Sequence, residues 1–296
     1  MRACILLNPH AGSADEERLR ACARHHVGAV VKRLSSPDAV SHAVHAASAA
    51  GASRIVAAGG DGTVHQVANA MLAQNVAAGL GIVPCGTGND LAYALDLPRL
   101  WAPALNTALA APLKRIDSIR LVDAEGRATC CINGTAGGFA GDVGDAVTPA
   151  MKARWGPSAF VMALGKALLH LSPYRVRVVL DESVIAKKIV ALLVMNAKTI
   201  GGRRHVAPHA HLADGEMDVV LVRYAALPRL LATGVRLLRR RWRADALVET
   251  YRCRRLQVTA HAPLALNVDG EAWSNRSFEA TVMPRTLRVA APRQPV

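Results

Sequence analysis

The chain has 296 residues, of which 51% are hydrophobic and 20% are charged, so wholesale disorder is excluded and the length suits two ordinary domains. Lysine and arginine outnumber aspartate and glutamate by 36 to 22, a formal net charge of +14 that favours nucleic acid, an anionic membrane surface or phosphorylated small molecules as partners. The six cysteines include no CxxC pair, and no apolar run approaches the ~18 residues of a membrane span. We therefore expect a cytoplasmic protein with free thiols, and any membrane contact to be peripheral.

Strands and helices alternate in the first third of the chain. The predicted strands are Ala3–Leu7, Ala29–Val31, Arg54–Ala58 and Leu80–Val83. The predicted helices cover about 15–26, 37–51, 64–71 and 91–95. This alternation predicts a parallel sheet covered by helices, and ligands of such sheets bind beyond the carboxyl ends of the strands.

Three of these four strands end in loops rich in glycine, at residues 8–13, 59–63 and 84–90. Glycine lets a ligand approach the backbone, and a loop that leads into a helix presents unpaired N–H groups to phosphate. Asp61 and Asp90 would repel bare phosphate, but they suit a Mg²⁺ ion between carboxylate and phosphate oxygens. Either loop alone is as often a tight turn with a helix cap, whereas two at equivalent strand ends favour a site for Mg²⁺ and a triphosphate.

The common nucleotide-binding signatures are missing from the sequence. There is no G-x-x-x-x-G-K-[ST] motif, no G-x-G-x-x-G between a strand and a helix, and no protein-kinase motif set.

The loop motifs resemble the catalytic domain of the diacylglycerol kinase and sphingosine kinase superfamily, and in particular the compact soluble lipid kinases of bacteria. The motifs are Asn8-Pro9-x-x-Gly12, Gly59-Gly60-Asp61-Gly62-Thr63 and Gly86-Thr87-Gly88-Asn89-Asp90. Later matches are Asn196, Gly201-Gly202, Asp214-Gly215-x-Met217-Asp218 and Asp269-Gly270-Glu271. The sequence departs from the pattern at His10-Ala11, and at Arg203, where a third glycine is common.

The resemblance implies two domains. An N-terminal α/β domain of the NAD kinase and phosphofructokinase type would cover residues 1–115, and a mostly antiparallel β-sandwich would cover 116–284, with a strand in 285–296 returning to the first domain. Short β-like runs from Ile116 onward agree with this, as does Leu287–Ala290 as the returning strand. Helical stretches are predicted near Pro149–Leu171 and Leu227–Arg243, and a hinge near 103–112.

The resemblance also implies transfer of the γ-phosphoryl group of ATP to a lipid hydroxyl, with diacylglycerol or a related lipid as acceptor. The nucleotide would be held by Asn8, Pro9, His10, Ala11, Gly12, Gly59, Gly60, Asp61, Gly62, Thr63, Gly86 and Thr87. The catalytic acids would be Asp61, Asp90 and Glu271, and either Glu271 or Asp61 would take the proton of the hydroxyl. A second Mg²⁺ would bind at Asp214 and at carbonyl groups near His211 and Glu216, with Asp117 linked to it through water.

The predicted helix at 227–243 is rich in arginine and apolar residues. Its basic residues are Arg229, Arg236, Arg239, Arg240, Arg241 and Arg243. This composition is typical of a helix that lies on an anionic membrane, although a domain-covering helix with a solvated arginine face has the same pattern. No nucleic-acid-binding signature accompanies the charge, and a homodimer is compatible with the sequence. Two other functions stay open: a soluble-substrate kinase of the NAD kinase type, and a non-catalytic nucleotide-binding relative.

Overall fold

The computed structural model describes residues 3–12, 15–26, 28–138, 173–238 and 245–292. The N-terminal domain contains four parallel strands: β1 (Ala3–Leu7), β2 (Ala29–Arg33), β3 (Arg54–Gly59) and β4 (Gly79–Pro84). They lie in the order β4-β3-β1-β2. All four predicted strands are confirmed, and apolar clusters pack on the sheet.

Five helices belong to this domain: α1 (Glu16–Ala23), α2 (Pro37–Ala49), α3 (Asp61–Ala73), α4 (Asp90–Ala94) and α5 (Trp101–Ala110). Most of the stretch predicted as the approach to a hinge, 103–112, is α5, which the sequence analysis did not predict. Pro103 lies in the first turn of α5, where proline costs no backbone hydrogen bond, and Ala104 and Leu105 of the same helix are fully buried.

The second domain is built from antiparallel strands. They are β5 (Leu113–Asp123), β6 (Ala128–Cys131), β7 (Gly134–Gly138), β8 (Tyr174–Leu180), β9 (Ser183–Met195), β10 (Thr199–Ile200), β11 (Arg204–His205), β12 (Met217–Arg223), β13 (Val248–Cys253), β14 (Arg255–Val268) and β15 (Glu271–Ala290). One apolar cluster of β-branched and leucine side chains forms the core between them. The predicted combination of an α/β domain with an antiparallel β domain is therefore confirmed.

Strand β15 joins the two domains. Its first part pairs with β14 and β5, and its register with β5 shifts between Met283 and Leu287. After this irregularity Val289 pairs with Leu80 of β4 in parallel. The predicted returning strand is thus confirmed as the end of a 20-residue strand, and a single sheet runs through both domains.

The helix α6 (Leu227–Leu238) confirms the first part of the predicted basic helix. Arg239, Arg240, Arg241 and Arg243, and the helix predicted near Pro149–Leu171, lie outside the described residues. No helix of the described ranges is long and apolar enough to cross a membrane. All six cysteines have free thiols, as predicted.

Candidate active site

The loops that follow β3 and β4 meet at the carboxylate of Asp61. Asp61 is the first residue of α3, and its Oδ2 accepts a hydrogen bond from the amide of Asn89 at 2.8 Å. Its Oδ1 accepts a second bond from the amide of Asp90, also at 2.8 Å. Asn89 has φ +53°, a left-handed conformation that asparagine tolerates and that turns both amides toward Asp61. The two predicted loops therefore form one unit, which the spacing in the sequence does not reveal.

Asp90 links this unit to the second domain. Its side chain is buried, and its oxygens accept hydrogen bonds from the amides of Gly202 at 2.9 Å and Arg203 at 2.5 Å. Both residues lie in the turn between β10 and β11 and have positive φ. Arg203, at φ +66°, therefore occupies a position that favours glycine, and its guanidinium lies 5.4 Å from the centre of the Tyr93 ring.

Glycine is required where the two loops touch. A Cβ placed on Gly86 would lie 2.5 Å from the Cα of Gly60, and one on Gly88 would lie 2.6 Å from Oδ2 of Asp61. Protein atoms do not approach so closely without displacement of the backbone. The glycines thus let the two loops pack backbone against backbone at the ends of β3 and β4, and loops of this kind that lead into helices suit phosphate.

The first predicted loop, residues 8–12, contributes through Asn8. Its side-chain amide donates to Oγ1 of Thr63 at 2.9 Å, and its Oδ1 accepts the amide of His10 at 3.0 Å. Pro9, Ala11 and Gly12 complete this loop, and a Cβ on Gly12 would lie 3.9 Å from the carbonyl oxygen of Cys85. Thr63 is buried, and its hydrogen bond with Asn8 connects the first loop to the loop after β3. The structure therefore brings the three predicted loops together.

The pKa of Asp61 is raised by its surroundings, which include Asp90. Burial, followed by the negative charge of Asp90, raises the pKa of Asp61 to about 6, although the two backbone amides oppose the shift. A half-buried carboxylate that ionises only near neutral pH, beside a second, buried carboxylate, is the kind of group that a divalent cation stabilises. The donor set therefore fits Mg²⁺, and Asp61 and Asp90 would hold it.

Glu271 approaches the same site from the second domain. Its Oε1 accepts a hydrogen bond from the side-chain amide of Gln66 on α3 at 3.0 Å, and a Cβ on Gly62 would lie 3.3 Å from the same oxygen. The carboxylate is exposed, so it is free to face a substrate. Two acids of the first domain and one of the second thus converge.

Asp269 has a role that the sequence did not show. It lies in the turn between β14 and β15, and its carboxylate accepts amide hydrogen bonds from Ile132, Asn133 and Gly134 and contacts Nδ1 of His65 at 3.2 Å. Burial opposes its ionisation, but the interactions with His65 and these amides lower its pKa. Asp269 therefore anchors the turn that carries Glu271. The Asp-Gly pair alone signals only a turn.

The residues predicted for a second metal make other contacts. Asp214 pairs with the guanidinium of Arg252, which also lies 2.8 Å from Glu216. The two oxygens of Asp117 accept the amides of Gly215 and Arg285, each at 2.7 Å. Nδ1 of His211 accepts the amide of Ala213. The described residues contain no cluster of three or more His, Cys, Asp or Glu side chains that could hold a metal ion. The side chains alone thus do not form this site, and carbonyl oxygens would have to supply most of it.

Comparison with known proteins agrees with this geometry. The family model of the diacylglycerol kinase catalytic domain matches residues 2–121. The family model of the YegS C-terminal NAD kinase beta sandwich-like domain matches residues 136–291. The chain is 31% identical over 249 residues to a Chromohalobacter salexigens protein named "Probable lipid kinase YegS-like", covering 83% of this chain and 78% of the relative. It is 28% identical over 241 residues to the diacylglycerol kinase of Bacillus subtilis, covering 81% and 78%. A diacylglycerol kinase crystal structure from Bacillus anthracis has the same fold, with a TM-score of 0.73 at 16% identity and coverage of 99% of this chain and 97% of that one.

An α/β domain joined to an antiparallel β domain, together with these family matches, defines an ATP-using kinase. The chain belongs to the diacylglycerol kinase superfamily of lipid kinases, as its motifs predicted. It is accordingly a phosphotransferase with an alcohol group as acceptor.

Proposed function

We propose that the protein transfers the γ-phosphoryl group of ATP to the hydroxyl of a membrane lipid, with diacylglycerol or a closely related lipid as the acceptor. The observation that carries the proposal is the junction of the two glycine loops at Asp61, with Glu271 of the second domain beside it. Asp61 and Asp90 are tied together by backbone hydrogen bonds, and Glu271 lies beside Gly62 from the other domain.

In this proposal the three loops of the first domain bind the nucleotide. The loops at 59–63, 86–87 and 8–12 would face the phosphates with those backbone amides that have no partner within the protein, since His10 and Gly86 donate theirs to Asn8 and Asn89. Asp61 and Asp90 would hold Mg²⁺, which would neutralise phosphate oxygens when bound. Such chemistry needs mainly in-line positioning and charge stabilisation, so the close contact between Gly60 and Gly86 supports catalysis by fixing the two loops relative to each other.

The acceptor hydroxyl must lose a proton during transfer. Glu271 is exposed at the domain junction and hydrogen-bonded to Gln66, so it is placed to accept that proton. Asp61 is the alternative acceptor, because its pKa of about 6 suits proton transfer near neutral pH. We favour Glu271, since both oxygens of Asp61 already accept backbone amides.

We also propose a second Mg²⁺ at the loop between β11 and β12. Asp214 and carbonyl groups near His211 and Glu216 would bind it, and Asp117 would lie behind it. Arg252 already balances the charge of Asp214, so this ion would bind weakly, and it takes no part in the transfer step.

Peripheral association with the inner face of an anionic membrane completes the proposal. The described part of α6 exposes Leu227 at 40% and Leu231 at 47%, and Arg229 is exposed beside them. Arg236 pairs with Asp245 at 2.8 Å, so docking would rest on Arg229 and on the basic run at 239–243. About 1 kcal/mol per basic residue near an anionic surface is enough for reversible docking by several of them.

Transfer of labelled phosphate tests the proposal. The protein is incubated with γ-labelled ATP, Mg²⁺ and mixed micelles of diacylglycerol, phosphatidylglycerol or ceramide, and label in the chloroform extract is counted, with Asp61→Asn as the control. We expect label in at least one lipid with the native chain and none with the variant. Binding of ATP without any labelled lipid would contradict the proposal and support a non-catalytic relative.

Membrane dependence separates the lipid kinase from a kinase of the NAD kinase type. We expect vesicles that contain phosphatidylglycerol to raise the rate and added salt to reverse the increase, because salt screens the attraction. A rate that is indifferent to vesicles, with label in a water-soluble product, would support the soluble-substrate alternative.

A further inference from the structure

A groove lined by arginines lies at the end of α3 that is far from the proposed nucleotide site. It has a volume of about 660 Å³ and is bounded by the end of α3, by β5 and β6, and by β15 where its register shifts. Since α3 rises by about 1.5 Å per residue, its end at Ala73 lies roughly 18 Å from Asp61. The groove is therefore separate from the glycine-lined loops.

Three arginines line this groove: Arg115, Arg120 and Arg288. None of the three has a carboxylate within 4.0 Å among the residues that the structure describes, and the hydrogen bond that Arg115 makes, to the carbonyl of Arg285, is long at 3.4 Å. Asp117, on the same strand, is buried and accepts backbone amides from Gly215 and Arg285. The positive charge of the groove is therefore not neutralised by neighbouring acids.

The arginines are held close together by the sheet. Arg115 of β5 stands directly opposite Arg288 of β15 in the antiparallel register, and like charges at such positions are destabilising. Burial lowers the pKa of the nearby Arg54, and the charge of Arg288 lowers it further. Nη1 of Arg54 has no hydrogen-bond partner. An anion in the groove, beside Arg115 and Arg288, would relieve the repulsion between these two residues.

The remaining wall of the groove is apolar. It includes Met71 and Leu72 at the end of α3, Val76 just after this helix, and Leu287 of β15. Met283 at the rim is 37% exposed. Guanidinium groups bind phosphate in a bidentate manner, and an apolar wall beside them accommodates hydrocarbon. A molecule with a phosphate group and an apolar part would contact both the arginines and the apolar wall of the groove.

We propose that this groove is a non-catalytic binding site for the phosphate group of a phosphorylated amphiphile, the chemical class to which the product of a lipid kinase belongs. Arg115, Arg120 and Arg288 bind the phosphate, and the apolar wall contacts the first part of the chain. Binding in this groove does not require phosphoryl transfer at the site of Asp61, so a binding measurement alone tests the proposal.

Binding of soluble probes tests the proposal. Dihexanoyl phosphatidic acid, below its micelle concentration, and inorganic phosphate are each titrated calorimetrically into the full chain with excess non-hydrolysable ATP analogue, which keeps the nucleotide loops filled. Native protein is compared with the double variant Arg115→Gln/Arg120→Gln. The matched control is Arg175→Gln/Arg177→Gln, which removes the same charge from exposed positions of β8.

We expect the groove variant to bind phosphatidic acid at least tenfold more weakly than the native chain, and the control to bind it within twofold. Tighter binding of phosphatidic acid than of inorganic phosphate identifies a lipid phosphate as the ligand, whereas equal binding that also depends on the arginines identifies free phosphate; both support the site. Undiminished binding in the groove variant, an equal loss in the control, or no binding of either probe to the native chain would overturn it.

Thermal unfolding without ligand shows whether the substitution at Arg115 damages the folded structure, which would also weaken binding. Because Arg115 faces Arg288, Arg115→Gln removes a repulsion, and we expect the Tm to rise by roughly 1–3 °C. A clear fall in Tm would show that Arg115 stabilises the native structure by itself, and it would contradict the proposed need for an anion.

Discussion

Asp61 is the residue whose protonation most affects the site. Burial and the charge of Asp90 raise its pKa to about 6, so in the metal-free protein half of the molecules carry a neutral carboxyl at that pH. We expect the affinity for MgATP to be constant above pH 7 and to fall about tenfold per pH unit well below 6, because only the ionised form attracts the cation.

The pH dependence is checked by measuring kcat/KM from pH 5 to 8 at limiting and at saturating Mg²⁺. Since the cation favours the ionised form, saturating Mg²⁺ should move the decline to lower pH. A profile that stays flat down to pH 5 at limiting Mg²⁺ would mean that Asp61 keeps its ordinary pKa.

The roles of Glu271 and Asp61 are distinguished by replacing each carboxylate with the corresponding amide. Glu271→Gln should lower kcat by roughly 10²–10⁴-fold with nucleotide affinity unchanged, because it removes a proton acceptor and leaves the loops of the first domain intact. Asp61→Asn should weaken MgATP binding as well, since it removes a carboxylate from the loop junction.

Steady-state kinetics and nucleotide titration of both variants provide the measurement. Glu279→Gln is the matched control, an exposed glutamate of the same strand, and it should retain native activity. If Glu271→Gln keeps more than a third of the native kcat, Asp61 is the better candidate for the proton acceptor.

At the scale of elements, the junction of the β3 and β4 loops depends on glycine. Gly86→Ala would place a methyl group 2.5 Å from the Cα of Gly60, so the two loops must separate, and we expect ATP binding to fall at least tenfold. The matched control is Gly234→Ala in α6, where a Cβ meets no atom within 4 Å. It should stabilise the protein by about 0.5–1 kcal/mol because alanine favours helix.

Fluorescent-nucleotide binding and denaturant unfolding of the two glycine variants test this directly. Equal nucleotide affinity in Gly86→Ala and the native chain would mean that the contact between the loops is not needed for the phosphate cradle.

The elements also show what sequence patterns can predict. The buried strands β1, β3 and β4 and the loops after them follow from apolar runs that stop at glycine, so the positions of Asp61 and Asp90 at one sheet edge were predictable. The helix α5 was missed because the stretch at 103–112 was interpreted as the approach to a hinge between the domains. The strand β7 was missed because Gly-Thr-Ala-Gly-Gly has little strand propensity.

Long-range contacts account for the rest. The hydrogen bonds from Gly202 and Arg203 to Asp90 join positions more than 100 residues apart, and no local pattern specifies such a pairing. The same is true of the bonds that Asp269 accepts from the amides of residues 132–134. Only the family resemblance indicated that these segments belong to one site.

At the scale of the whole molecule, β15 belongs to both hydrophobic cores. Phe278 and Val282 pack in the second domain, whereas Leu287 and Val289 pack with the helices and strands of the first. Leu287 is 3% exposed, so Leu287→Ala should destabilise the protein by about 2–5 kcal/mol. We expect one cooperative transition, with both domains losing stability together.

Hydrogen exchange measures this coupling. In Leu287→Ala the amides of β3 and of β12 should exchange faster by similar factors, while Met283→Ala, at an exposed position of the same strand, should change stability by less than about 0.5 kcal/mol. Faster exchange in β3 alone would mean that the domains unfold independently.

The shared strand also sets an order of events during synthesis. The ribosome makes β4 before the whole second domain, yet Val289, the neighbour of Leu80 in the sheet, is made after that domain. Until then one edge of the nascent parallel sheet has no partner, and an open edge invites pairing with other chains. The edge formed by β4 is therefore protected only when the last strand of the chain has been made.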